Sequence, residues 1–139
     1  MKITASRYHD FSYGHRVCGH EGKCASLHGH NGRVTFFCEA AQLDSVGRVI
    51  DFSVIKDRLC NWVEDVWDHS FLIWENDPWA GALRGVDEDV LKVSYNPTAE
   101  NMAAHLLNTV GPVRLKDTGV TLTKVKFEET RKCFVEVTL

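Results

Sequence analysis

No run of about 18 apolar residues occurs anywhere in the sequence, which excludes an α-helical membrane span. A basic surplus is also missing: 16 Lys+Arg stand against 19 Asp+Glu, for a formal net charge of -3. Without a polybasic patch to meet phosphates or anionic lipid, neither nucleic acid nor a membrane surface is expected as a partner. The opening residues, from Met1 to Asp10, lack the continuous apolar stretch of a secretory signal. There is no CxxC pair, and the five cysteines are an odd number that suits no disulfide framework. Together these absences predict a cytoplasmic protein with reduced thiols. Internal repeats and low-complexity segments are absent too. What remains is 44% hydrophobic and 25% charged over 139 residues, an ordinary globular composition. That length supports one hydrophobic core but not two typical domains, so residues 1–139 are expected to form a single domain.

Along the chain, Ile3, Ala5, Phe11 and Tyr13 fall at odd positions without a helical period, which predicts an extended strand over residues 2–15. The Gly-, His- and Cys-rich stretch from Cys18 to Gly32 reads as a loop entering a second strand, Arg33 to Ala40. Ile55, Leu59, Trp62, Val63 and Val66 are spaced for an amphipathic helix from about Ser53 to Asp65, with Asp51 or Ser53 as its cap. A second helix is predicted after Pro97, capped by Thr98 and stopped at Gly111-Pro112. Two closing strands, Val120 to Glu129 and Cys133 to Leu139, flank a hairpin at Thr130-Arg131-Lys132. Residues 74–96 form an excursion with a short helix around Trp79 to Leu83. The order strand, strand, helix, helix, strand, strand does not alternate as a parallel doubly wound sheet requires. It predicts an α+β fold, an antiparallel sheet with helices on one face.

His28-Gly29-His30 is the strongest local signal, because residues i and i+2 of an extended chain point to the same side and bring two imidazoles together. A bare HxH is more often an ordinary surface pair. Here His15 lies near the end of the neighbouring strand and offers a third neutral donor, the number a catalytic zinc site uses while keeping a position open. Cys24, four residues before His28, is a candidate general base whose thiolate would be favoured by a nearby metal and by Lys23. Its alternatives are a fourth ligand in a structural site or a small buried residue. Asp68-His69 follows the first helix; adjacent residues rarely hydrogen bond each other well, so the pair is expected to face a third group. A helix C-terminal histidine favoured by the dipole is the plainer explanation. Glu129 could accept two hydrogen bonds from a guanidine-like ring edge, or be a solvated acid. Cys18 and His20 make a competing metal set, but finger spacing is absent. Cys38, Cys60 and Cys133 are expected in the core, and the four tryptophans in packing roles.

These pieces resemble the 6-pyruvoyl-tetrahydropterin synthase and 6-carboxytetrahydropterin synthase family of the tunnelling fold. The matching stretches are Phe11-Ser12-Tyr13-Gly14-His15-Arg16, Lys23-Cys24 through His28-Gly29-His30-Asn31, Gly47-Arg48-Val49-Ile50-Asp51-Phe52, Asp68-His69, Pro97-Thr98-Ala99-Glu100-Asn101 and Glu129-Thr130. The resemblance implies Zn²⁺ held by His15, His28 and His30, with Cys24 as base, Asp68 and His69 assisting it, Glu129 anchoring a pterin ring, and Thr98 lining the pterin pocket. It further implies a four-stranded antiparallel sheet with two helices on one face. Subunits of that family join into barrels, commonly a hexamer made as a dimer of trimers. The Cys-x₃-His-x-His spacing is similar to the bacterial branch that serves queuosine and 7-deazaguanine biosynthesis. That branch implies 7,8-dihydroneopterin triphosphate as substrate, and 6-carboxytetrahydropterin, acetaldehyde and triphosphate as products. The alternatives are the pyruvoyl reaction or a noncatalytic pterin-binding oligomer. Lys23 and Arg16 are candidates to meet the triphosphate. The chain departs from the family pattern at Trp67, where many members have Leu, and in the excursion.

Overall fold

A computed structural model describes residues 1–139. Strand β1, Ala5–His15, turns Phe11, Tyr13 and His15 to one side, each less than 5% exposed, while the residues between them stay more open. Strand β2, His28–Ala40, runs antiparallel to it with His15 opposite His28 and Tyr13 opposite His30. The second strand therefore begins five residues earlier than the predicted Arg33. Its glycines explain the difference: a Cβ at Gly29 would stand 3.1 Å from the Tyr13 carbonyl, and one at Gly32 would stand 3.0 Å from the Tyr13 ring. They mark close approach inside a strand, not a loop.

Strand β5, Val120–Glu128, pairs antiparallel with β2, and β6, Phe134–Thr138, pairs antiparallel with β5. The sheet is six-stranded, not four-stranded, in the order β4-β3-β1-β2-β5-β6. The two additional strands come from the region around the excursion. β3, Ser70–Trp74, lies parallel to β1, and β4, Leu91–Val93, lies parallel to β3. A four-residue apolar run such as Phe71–Trp74 carries no periodicity that separates strand from buried helix, and its partner is distant in sequence.

Helix α1 covers residues 52–66, with Asp51 capping it by accepting from the Ser53 amide and with a π-wound middle at Lys56–Cys60. Helix α2 is Ala80–Val86 within the excursion. Helix α3 covers residues 99–114, capped by Thr98, whose hydroxyl accepts from the Asn101 amide. It does not stop at Gly111-Pro112. The preceding turn, Leu106–Val110, is π-wound, so the proline enters as a first-turn residue of the last α segment, where its missing N–H forfeits no ladder bond. Helices α1 and α3 pack Ile55, Leu59, Val63, Met102, Leu106 and Val110 against Phe11, Val34, Phe36, Leu122, Val125 and Phe127 in one core of 21 residues. Cys38 and Cys60 belong to that core, whereas Cys133 is exposed, contrary to expectation. Burial pushes the Cys38 thiol up to about 12 and the Cys60 thiol up to about 11, leaving both inert. No helix is long and apolar enough to cross a membrane.

Candidate metal centre

The β1–β2 register places His15 and His28 directly opposite each other, with His30 two residues along the same face. The ring centroids lie 4.6 Å apart for His15 and His28, 5.1 Å for His15 and His30, and 4.9 Å for His28 and His30. One ligand atom from each converges within 4.8 Å of the others, the arrangement that holds a metal ion. Tautomers are set from outside the cluster. His15 Nδ1 lies 2.6 Å from the Pro97 carbonyl oxygen, and His28 Nδ1 lies 2.7 Å from that of Ser26. A carbonyl only accepts, so each Nδ1 carries the proton and each Nε2 presents a lone pair. All three Nε2 atoms are buried without a hydrogen-bond partner. Buried polar atoms are rarely left so, and three together pointing at one spot fit a divalent cation. Burial, with His15 and His28 adding, holds His30 below its ordinary pKa against the opposing pull of Glu129, which favours the neutral ligating form.

Glu129 follows β5 and brings Oε1 to 3.3 Å from His15 Nε2 and 3.4 Å from His30 Nε2. Tyr13 closes the same side. Its ring packs 5.1 Å from His15 and 5.5 Å from His30, and its hydroxyl is buried without a partner. Burial, then the facing Glu129, raises the phenol pKa. In the sequence Tyr13 reads only as a strand residue, and nothing marks the Pro97 carbonyl. The register with His30 is the signal that would have found Tyr13.

Cys24 lies in a single 3₁₀ turn, Lys23–Ala25, half-buried, and is outside the group of converging ligand atoms. A structural Cys-His₃ site is therefore not what this geometry builds. Its backbone is tied back, since the Val17 amide donates to the Cys24 carbonyl at 2.7 Å. Asp68 and His69 do bond each other, contrary to expectation: His69 adopts φ 62°, a left-handed turn that swings Nδ1 to 2.7 Å from Asp68 Oδ2. Asp68 Oδ1 accepts from the Ser12 amide, and that bond is the main cause of its lowered pKa. The His69 side chain is 81% exposed, and no hydrogen bond links the pair to the imidazole trio. Thr98 spends its hydroxyl on the α3 cap, and its amide donates to the Asn96 carbonyl. Lys23 is exposed. Arg16 is not free to meet a triphosphate, being 7% exposed and paired with Asp77.

The model of a protein family described as 6-pyruvoyl tetrahydropterin synthase matches residues 4–139. A Rickettsia bellii protein named 6-carboxy-5,6,7,8-tetrahydropterin synthase is 37% identical over 97% of this chain and 99% of its own. A Haemophilus influenzae protein of the same name is 28% identical over 94% of this chain and 95% of its own. Among solved structures, an uncharacterized protein from Wolinella succinogenes superposes with a TM-score of 0.86 at 25% identity, covering 99% of this chain and 98% of that one. The 6-pyruvoyl tetrahydropterin synthase of Caenorhabditis elegans superposes at 0.70, also at 25% identity, over 99% and 95%. With the family's model covering nearly the whole chain and a relative 37% identical over 97% of it, the chain belongs to the 6-pyruvoyl tetrahydropterin synthase family.

Proposed function

We propose that this chain is a zinc-dependent 6-carboxy-5,6,7,8-tetrahydropterin synthase, a cytoplasmic carbon-carbon lyase of queuosine and 7-deazaguanine biosynthesis. Its substrate is 7,8-dihydroneopterin triphosphate, and its products are 6-carboxytetrahydropterin, acetaldehyde and triphosphate. The observation that carries this reading is the convergence of three unpartnered Nε2 atoms beside Glu129, in a chain with a relative of that name 37% identical over 97% of its length. His15, His28 and His30 hold the metal. Zinc in that position supplies Lewis-acid polarisation of the substrate's side-chain oxygens.

The remaining work falls to the chain's own residues. Glu129 accepts from the pterin ring edge and fixes the ring, so that the reacting side-chain carbon lies in a constant place. The Cys24 thiolate takes a proton from that carbon as general base. Asp68 orients His69 through their 2.7 Å bond, and the pair donates or relays the proton. Because His69 projects outward, the pair is best used by a site formed between subunits, as in an assembly of two trimers. Thr98 serves the pocket through the backbone it caps. A second reading, the pyruvoyl reaction, is favoured by the likeness to the C. elegans structure.

Mass spectrometry of the products from 7,8-dihydroneopterin triphosphate separates the two. Acetaldehyde and the 6-carboxy product in equal amounts are expected; a pyruvoyl product would support the second reading. Turnover should vanish in Cys24→Ala while zinc stays stoichiometric, and full turnover in that variant would remove Cys24 from the mechanism.

A further inference from the structure

The segment from Arg16 to Ala25 carries Cys24 yet has almost no structure of its own. It holds one 3₁₀ turn and two glycines, and of its three internal backbone bonds two are local turn contacts (His20 to Val17, Ala25 to Gly22), so that only Val17–Cys24 spans the loop. A loop so built cannot fix a thiol by itself. It is held instead by the excursion between β3 and α3. Arg16 Nε donates to Asp77 Oδ2 at 2.6 Å, and Arg16 Nη1 donates to the carbonyl of Ala25, the residue after Cys24, at 3.1 Å. The guanidinium carbon lies 3.5 Å over the Trp79 ring. Asp77 Oδ1 accepts from the Trp79 amide at 2.9 Å, which locks the two excursion residues to each other. At the far end of the excursion Asn96 takes the Cys18 amide and donates to the Cys18 carbonyl, at 3.1 and 2.9 Å.

We infer that the excursion is the positioning device for the Cys24 turn, with Asp77 and Trp79 as positioning residues acting through Arg16. This rests on Cys24 acting as the base. A buried ion pair contributes little net stability compared with apolar packing, because both charges lose their water. What it does supply is direction. Asp77 fixes one edge of the guanidinium and Trp79 its face, so the remaining edge has one orientation from which to hold the Ala25 carbonyl. Arg16 itself follows His15, so the clamp also sets the Cys24 turn relative to the metal ligands.

The test uses the zinc-loaded protein and three variants: Asp77→Asn, Trp79→Leu and Trp79→Phe. Trp79 is 45% exposed, so its replacement leaves the core intact. Zinc content, kcat and KM for 7,8-dihydroneopterin triphosphate, and iodoacetamide alkylation of each cysteine by peptide mass are measured together. Asp77→Asn and Trp79→Leu should lower kcat by roughly 10- to 100-fold, the scale of a misplaced catalytic group. KM should stay within about twofold and zinc at one per chain, and Trp79→Phe, which keeps a π face for Arg16, should restore most of kcat. Alkylation at Cys24 should change severalfold relative to Cys133 while the buried Cys38 and Cys60 stay protected. Unchanged kcat and unchanged Cys24 alkylation in Trp79→Leu would overturn the inference, as would a loss shared by Cys38 and Cys60 protection. If Asp77→Asn does not fold, Trp79→Leu decides alone. Full activity in Cys24→Ser would instead remove the base reading, and the alkylation data would still judge the clamp.

Discussion

A histidine becomes a metal ligand through what its other nitrogen does. The Pro97 and Ser26 carbonyls accept hydrogen bonds from Nδ1–H of His15 and His28, so residues far from and near to the strand decide which lone pairs face inward. The Tyr13 hydroxyl shows the converse, a buried donor that faces Glu129 without a well-aligned bond. Tyr13→Phe should therefore leave metal-free stability unchanged or raise it by up to about 1 kcal/mol, since the lost group is buried and its contact with Glu129 is poorly aligned. Urea midpoints of the two proteins check this, and a clear drop for the variant would show that the hydroxyl is satisfied in solution. The HxH pair and its third partner were legible in the sequence because strand periodicity puts alternate residues on one face. The Arg16 pairing was not, because Asp77 lies 61 residues away and nothing local marks it.

At the scale of elements, the helices were legible from their apolar spacing, and their caps Asp51 and Thr98 sit where turn chemistry put them. The beginning of β2 was hidden by Gly29 and Gly32, whose composition suggests a loop while their role is to let Tyr13 lie across the strand. Strands β3 and β4 were hidden because parallel pairing of short segments depends on partners supplied by the rest of the fold. The Asp68 side chain ties the turn between α1 and β3 to β1 through the Ser12 amide. Its folded pKa lies below the ordinary carboxylate value near 4, so this anchor is complete above that value and is lost as pH falls through the lower folded one. Asp68→Asn should flatten the acid limb of a stability-against-pH curve measured between about pH 5 and 2. An unchanged limb would show that the anchor does not form.

For the whole molecule, helices α1 and α3 cover one sheet face. The other face is partly open and carries three cation–aromatic pairs: Arg33 over Tyr8, Lys124 over Phe37 and Lys126 over Phe134. Strand β6 leaves one edge of the sheet unpaired, a feature that single chains conceal or join to another copy. In the proposed reading, chains close into a barrel and two trimers stack, so light scattering should return the molar mass of six chains. A monomer with full turnover would remove the need for intersubunit use of His69. That assembly is expected from the family resemblance alone, because periodicity within one chain says nothing of its copies.

Zinc K-edge X-ray absorption of the loaded protein tests the metal centre most directly. One zinc per chain with a first shell of nitrogen and oxygen and no sulfur is expected, with His15, His28 and His30 as the nitrogen donors and Cys24 free. A sulfur scatterer in that shell, or full zinc retention after all three histidines are replaced by alanine, would contradict it.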